Sequence, residues 1–491
     1  MILENIDLHD KYQFEMKLGY RVLDEEKITP YRIEMYFFIP NSLDVNKHNY
    51  SKNDFFSDLQ TYIRFKSPAV LLRNIAGDDE NAPIVKLKNS FSDLVLHPDD
   101  ASISNYARQI KMFSCVVKSA LRDHVHCIER QKTSDNLDSL IEEYLRLVPE
   151  ITAAYRNLRL IINAPNITSK TYAFYQFGDE YLSFMVEESA YGILNYLDRH
   201  HADVLKHYSA ELYNLVRVEI EHRRNNHYPS IPRENDDNEE LIFRKSVLKK
   251  FMSSVLHLET TTEKEGLVLE QVLFGVAAGL SMLFATGVAF YSQYRYGSIS
   301  ATVFVILIIS YMFKDRFKEI LRTYFSKRIK KSLFDHKITF FTAENERIGE
   351  IKEVFYFTKE DRVPEEIIKI RNKDHITEIE NSWMGEKIAV YAGNVSLLSK
   401  ELLELYHDYV MEGINHIMRY DISRYLQKMD NPKKPLFVLH KQGHKEISGK
   451  RVYHLNTIIK FTSAQGTSYR RYRIVMNRDG IRRIEEVFSE K

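Results

Sequence analysis

Cysteine is nearly missing from these 491 residues: only Cys115 and Cys127 occur. Twelve positions apart in a helical-looking stretch, they fall on different turns, out of disulfide reach on one helix. A disulfide framework is excluded, and a reducing compartment is expected. An excess of one charge is missing too. The 69 basic and 68 acidic residues leave a formal net charge of +1, so nucleic acid and a globally acidic partner are both disfavoured. Met1 to Asp10 has no basic start followed by an apolar run, so a secretory leader is not expected there.

The common catalytic signatures are also missing. The sequence contains no GxxxxGK[ST] phosphate loop, no GxGxxG fingerprint, no GxSxG elbow and no HExxH. No catalytic residue, cofactor or metal is therefore assigned. The weak candidates for a metal are His200, His207, Glu219 and His222. Glu219 and His222 form an ExxH element like that of di-iron carboxylate bundles, as do Glu404 and His407. An acid precedes a histidine by three residues about as often as chance places it in a chain with 68 acidic residues and 18 histidines. Solvated or capping histidines are thus the expectation.

What the chain has is one long uncharged run, Val272 to Tyr291, and a shorter one, Ile299 to Phe313. Roughly 20 apolar residues cross a hydrocarbon core of about 30 Å, so the first run qualifies and the second is short. The pair predicts a two-helix transmembrane hairpin, with bilayer thinning or snorkelling of Lys314 and Arg316 making up the shortfall. A hairpin buried in a soluble core is the alternative.

Lys314, Arg316, Lys318, Arg322, Lys327, Arg328, Lys330 and Lys331 follow the second run, whereas the loop Ser292 to Ser298 holds only Arg295. The positive-inside rule then puts both termini in the cytoplasm, in a plasma membrane or bacterial inner membrane. The same basic residues form a juxtamembrane helix suited to anionic lipid headgroups. Ala277, Ser281, Ala285 and Ala289 recur every four residues, with Gly275 and Gly279 on an adjacent face. Small residues so spaced let helices approach closely, against the second helix or against a second copy of the chain.

The rest reads as soluble. Tyr12 to Val22 and Tyr31 to Phe37 alternate apolar with polar residues, predicting a two-stranded hairpin in region 1–50. Region 51–265 reads as a cytoplasmic helical bundle, with helices over 52–66, 100–131, 135–161, 171–199, 201–226 and 239–264. The hairpin occupies 266–313 and the basic helix 314–335. Region 336–491 reads as an α+β domain: strands over 337–342, 351–357, 435–440, 450–462 and 469–477, helices over 364–371, 395–429 and 480–488. The basic, tyrosine-bearing stretches Lys441 to Arg451 and Arg470 to Arg483 suit RNA or single-stranded DNA by stacking, lipid headgroups or an acidic partner, with a solvated sheet face the expectation.

The fold class is therefore an integral membrane α+β protein, its transmembrane hairpin set between an N-terminal strand-plus-helical-bundle domain and a C-terminal α+β domain. A membrane-tethered scaffold or sensor that binds a protein partner is the expected function. The alternatives are an oligomeric effector or pore and a membrane-bound enzyme with an unrecognised site.

Overall fold

Residues 28–40 explain much of the fold. Their first half alternates, with Tyr31, Ile33 and Met35 buried and Arg32 outward, and from Phe37 on every residue as far as Ile39 is buried. A strand polar on one face at its start and apolar on both faces later is covered on one side first and on two sides afterwards. The computed structural model describes residues 3–22, 27–131, 134–265, 267–297, 301–329, 333–373, 385–404, 409, 411–440 and 443–487.

The chain is mixed α and β. Strands run β1 (Leu3–Leu8), β2 (Gln13–Arg21), β3 (Ile28–Pro40), β4 (Leu59–Phe65), β5 (Glu259–Glu263), β6 (His336–Phe341), β7 (Arg347–Thr358) and β8 (Glu386–Leu398). They continue as β9 (Gly413–Asp421), β10 (Lys433–His440), β11 (Gly443–Lys450), β12 (Tyr453–Ser463), β13 (Gly466–Asn477) and β14 (Gly480–Glu486). The helices are α1 (Lys52–Asp58), α2 (Pro83–Leu96), α3 (Asp100–Arg130), α4 (Ser134–Asn157), α5 (Arg159–Ile162), α6 (Ser169–His200) and α7 (Ala202–Asn225). After them come α8 (Glu239–Ser253), α9 (Leu267–Tyr296), α10 (Ala301–Ile329), α11 (Glu365–Arg371), α12 (Ser399–Glu404) and α13 (Ser423–Leu426).

Two compact units result. The first comprises Met1–Ile63, Glu259–Glu401 and Asn415–Lys491, the second Arg64–Leu258 and Leu402–Ile414. In the first, eight strands form one sheet in the order β14-β13-β12-β3-β8-β7-β6-β5, and a second sheet runs β1-β2-β9-β4. The expected hairpin of β2 with β3 is not formed: β2 joins the smaller sheet, and β3 pairs antiparallel with β12 and β8. The N-terminal and C-terminal segments thus share one sheet.

The inner faces of the two sheets meet through aromatic rings. Phe37 of β3 stacks on Tyr420 of β9 at 5.6 Å, and Tyr20 of β2 lies 5.1 Å from Tyr31. Helix α1, closed by a Ser51–Asp54 capping box, drives Phe55 onto Phe355 at 4.0 Å. On the outer face Val363 and Ile367, at and just after the lead-in to α11, pack on Tyr36, Phe38, Ile388, Val390 and Ile458. That is why Tyr36 and Phe38 can both be apolar in a strand that began by alternating.

The second unit is helical, α2 to α8. Asp99 and Thr168 cap α3 and α6 by accepting from the Ser102 and Thr171 amides. Four expected helices differ: the one over 239–264 stops at Ser253, and 259–263 form β5. Residues 59–65 extend as β4 where a helix over 52–66 was expected; 395–398 end β8 and 413–421 form β9 where a helix over 395–429 was expected; 480–486 form β14. Residues 389–392 are buried without alternation, and a doubly covered strand leaves no period to read.

Helices α9 and α10 lie between β5 and β6, which pair antiparallel from Glu259↔Phe341 to Glu263↔Lys337. Among the described residues one helix, Glu270–Tyr296, is long and apolar enough to cross a membrane. Two crossing helices are not supported. Past Phe313 α10 carries Lys314, Asp315, Arg316, Lys318, Glu319 and Arg322, which leaves its apolar half too short.

Candidate membrane face and buried ion network

Helix α9 exposes what a soluble helix hides. Only 11% of its apolar window is buried, and Leu283 (72%), Phe290 (68%) and Tyr291 (69%) are largely open. On α10, Phe304, Ile308, Ile309, Met312 and Phe313 are exposed as well. A core hairpin would have buried these groups, so the soluble-core alternative fails on this point.

The two helices pack on each other. Ala277 and Ser281 are buried, Ala285 and Ala289 half-buried, while Gly275 and Gly279 stay exposed with open space where a Cβ would stand. On α10 Val303 and Ser310 are buried, and Ile306, Leu307, Lys314, Lys318, Leu321, Arg322 and Phe325 are half-buried. The Arg322 guanidinium sits 4.4 Å over the Phe274 ring, and Phe284 meets Phe317 at 5.8 Å. Three cations of α10 are thus turned partly inward, while Arg316 faces out. Lys327 and Arg328 belong to α10 but their side chains are not described, and Lys330 and Lys331 lie outside the described residues.

The helical unit holds a second constellation. Arg156 of α4 donates to Glu219 of α7 at 3.1 and 2.6 Å and to Asp179 of α6 at 3.2 Å. His222 Nε2 lies 2.8 Å from Asp179 Oδ2, which also accepts from the Tyr228 hydroxyl at 2.9 Å. Arg223, fully buried, reaches Ser183 Oγ at 3.1 Å and pairs with Glu187. Burial disfavours charge on Asp179, but His222, Arg156 and Tyr228 outweigh it and hold the carboxyl below its usual range. Pro149 cannot donate the amide that would cap the Leu145 carbonyl within α4. Both residues line an open groove of about 770 Å³ between α4 and α7, with Arg156 and Glu219 at its edge.

The weak metal candidates are dispersed. His200 packs on Tyr196 at 5.0 Å, His207 is exposed beside Tyr208, Glu219 is taken up by Arg156 and His222 by Asp179. Among the described residues no group of three or more His, Cys, Asp or Glu is placed to hold a metal ion.

Sequence reasoning passed over Arg156, Asp179 and Tyr228. Its one clue was an acid pair, Asp179-Glu180, flanked by Phe177 and Tyr181. It also passed over Glu353, 2% exposed, which accepts from the Tyr391 hydroxyl at 2.6 Å between the two sheets. Burial pushes that carboxyl up to about 7. Nearby His416 has Nδ1 3.4 Å from the Tyr20 hydroxyl, and burial pushes it down to about 4. No family model, curated protein or solved structure matches this chain.

Proposed function

We propose that this chain is a membrane-tethered scaffold or sensor, anchored by α9 with α10 returning beside it, whose sheet and helical units bind a protein partner at the bilayer. One observation carries the reading: the apolar window of α9 is almost wholly exposed, a surface that water penalises and lipid does not. In this reading α10, too short in apolar length to span by itself, returns against α9, and the pairing of β5 with β6 keeps both flanks of the two helices on one side, taken as the cytoplasm. Lys314, Lys318 and Arg322 are accommodated against α9, and the basic stretch 314–331 as a whole supplies the charge that favours anionic lipid. The groove beside α7, apolar at Leu145, Ala153 and Val218, gives a partner helix a place to lie. The test is alkaline carbonate washing of membranes from cells making the full chain. Retention in the pellet, lost when residues 267–329 are replaced by a flexible linker, is expected; release of the intact chain refutes the anchor.

A second reading, an oligomer that perturbs the bilayer, draws on the open face at Gly275 and Gly279. Dye leakage from liposomes on reconstitution favours it over a passive anchor.

A further inference from the structure

Among the described residues, strands β10 and β11 pair only with each other, in register from Lys433↔Lys450 to His440↔Gly443. Every residue of the ribbon is exposed except Gly449, which is half-buried. An isolated two-stranded ribbon is marginal in water, yet this one carries bulky apolar groups on both faces. By the alternation of a strand, Leu436, Val438 and Ile447 lie on one face, Phe437 and Leu439 on the other. Leu439 is 88% exposed and Phe437 65%.

The charge is equally one-sided. Lys433, Lys434, Lys445 and Lys450 belong to the ribbon, against the lone acid Glu446. Lys433, Lys434 and Lys450 cluster at its base, where Arg451 pairs with Asp430 and its amide donates to the Pro432 carbonyl at 2.9 Å. Three lysines at the base and Lys445 opposite Val438 frame the apolar bulk of Leu436 to Leu439, which makes the ribbon amphipathic.

We propose that this ribbon is a separate lipid-binding element, which inserts its apolar side chains into the interfacial layer of an anionic membrane while its lysines meet the headgroups. A second copy of the chain would bring like charge against like, and edge lysines oppose strand-to-strand pairing. A nucleic acid takes up apolar side chains only as single wedges between base steps, which would leave the apolar groups on the second face of the ribbon uncovered. The unpaired edges set the depth: their N–H and C=O groups need water or headgroups, so the ribbon stays within the outer 5–10 Å or so. Each lysine contributes about a fivefold gain in partitioning onto anionic lipid. The element does not depend on α9 crossing the membrane.

The test uses the full chain with Phe437→Trp as reporter, reconstituted in vesicles of phosphatidylcholine alone or with phosphatidylserine. Emission of the parent, which holds one tryptophan, is subtracted. Lipids brominated near the carbonyl region are expected to quench the new indole strongly with phosphatidylserine present and several-fold less without it. Added Lys433→Glu, Lys434→Glu and Lys450→Glu should abolish the difference, and added Leu439→Asp should abolish quenching, while carbonate retention, which reports on α9, stays unchanged. Quenching absent on both vesicles, or equal on both, overturns the proposal. So does a blue shift in detergent that grows with protein concentration, which would assign the ribbon to a second copy.

Discussion

Phe284 of α9 and Phe317 of α10 meet at 5.8 Å, and this contact sets the register of the two helices. With Arg322 over Phe274, it lays the charged half of α10 along the apolar half of α9. The two apolar runs are therefore staggered rather than level. Lys314, Lys318 and Arg322 are thereby brought level with the Ala277 and Ser281 part of α9 rather than beyond the end of its apolar run.

The stagger makes the connection between the helices the informative place to probe. In a Cys127→Ser background, which removes the exposed thiol and keeps buried Cys115, Tyr294→Cys and Thr262→Cys are to be compared in sealed right-side-out vesicles. An impermeant maleimide should modify the first and not the second. Labelling of both, or of neither, rules out a crossing by α9.

Replacing Arg156 by methionine leaves the Asp179 and Glu219 carboxylates buried without their guanidinium. Breaking a buried pair from one side costs about 3–5 kcal/mol, expected as a loss in the urea unfolding free energy of the full chain in mild detergent. Asp179 sits below its ordinary value of 3.8 in the folded protein. Its stabilisation is therefore present above that value and lost as pH falls through the lowered one. Without Arg156 the acid transition should begin at higher pH; an unmoved transition would show that His222 and Tyr228 suffice.

Glu353 works in the opposite sense. Its folded value of about 7 lies above its ordinary 4.5, so its contribution is full below 4.5 and is lost as pH rises towards 7. Glu353→Gln should leave stability near parental at pH 4 and raise it at pH 8, by on the order of 3 kcal/mol at most. His416 is common to both proteins, so the difference between their unfolding curves isolates the carboxylate. A pH-independent difference would contradict the assignment.

At Gly178 an added Cβ would run into the Tyr155 hydroxyl and stand 2.9 Å from Ile110 Cγ2. Tyr155 is held there by its hydrogen bond to the Tyr175 carbonyl at 3.0 Å. Gly178→Ala, favourable for an exposed helix, should here cost about 1–3 kcal/mol in thermal or urea unfolding. Combining it with Tyr155→Phe should recover part of the loss, whereas strict additivity would show that the two do not compete for space.

Local pattern revealed elements, and it could not reveal partners. Val272 to Tyr291 announces a helix because uncharged residues persist past the length of an ordinary core helix, and β2 and β3 announce themselves by alternation. Nothing local tells β2 to seek β9 and β3 to seek β12, each about 400 positions away. Leu397, Leu398 and Leu402 kept helical spacing by accident, and the burial of 389–392 on both faces erased the period that would have corrected it. The ion network was the least legible part. Arg156, Asp179 and Glu219 come from three helices; Arg156 and Asp179 each read alone as an ordinary surface charge, and Glu219 stood out only through its ExxH spacing to His222.

The joint between β5 and β6 is a mechanical one. The helices leave and re-enter the sheet at the same end of that strand pair, beside Glu263 and Lys337, and β5 is an exposed edge held by this one ladder. A force that splays α9 from α10 loads the ladder as a zipper, one hydrogen bond at a time from Glu263, whereas a force drawing β5 along β6 loads all of them together. Strain that separates the helices therefore yields first at the sheet edge, by peeling β5 away.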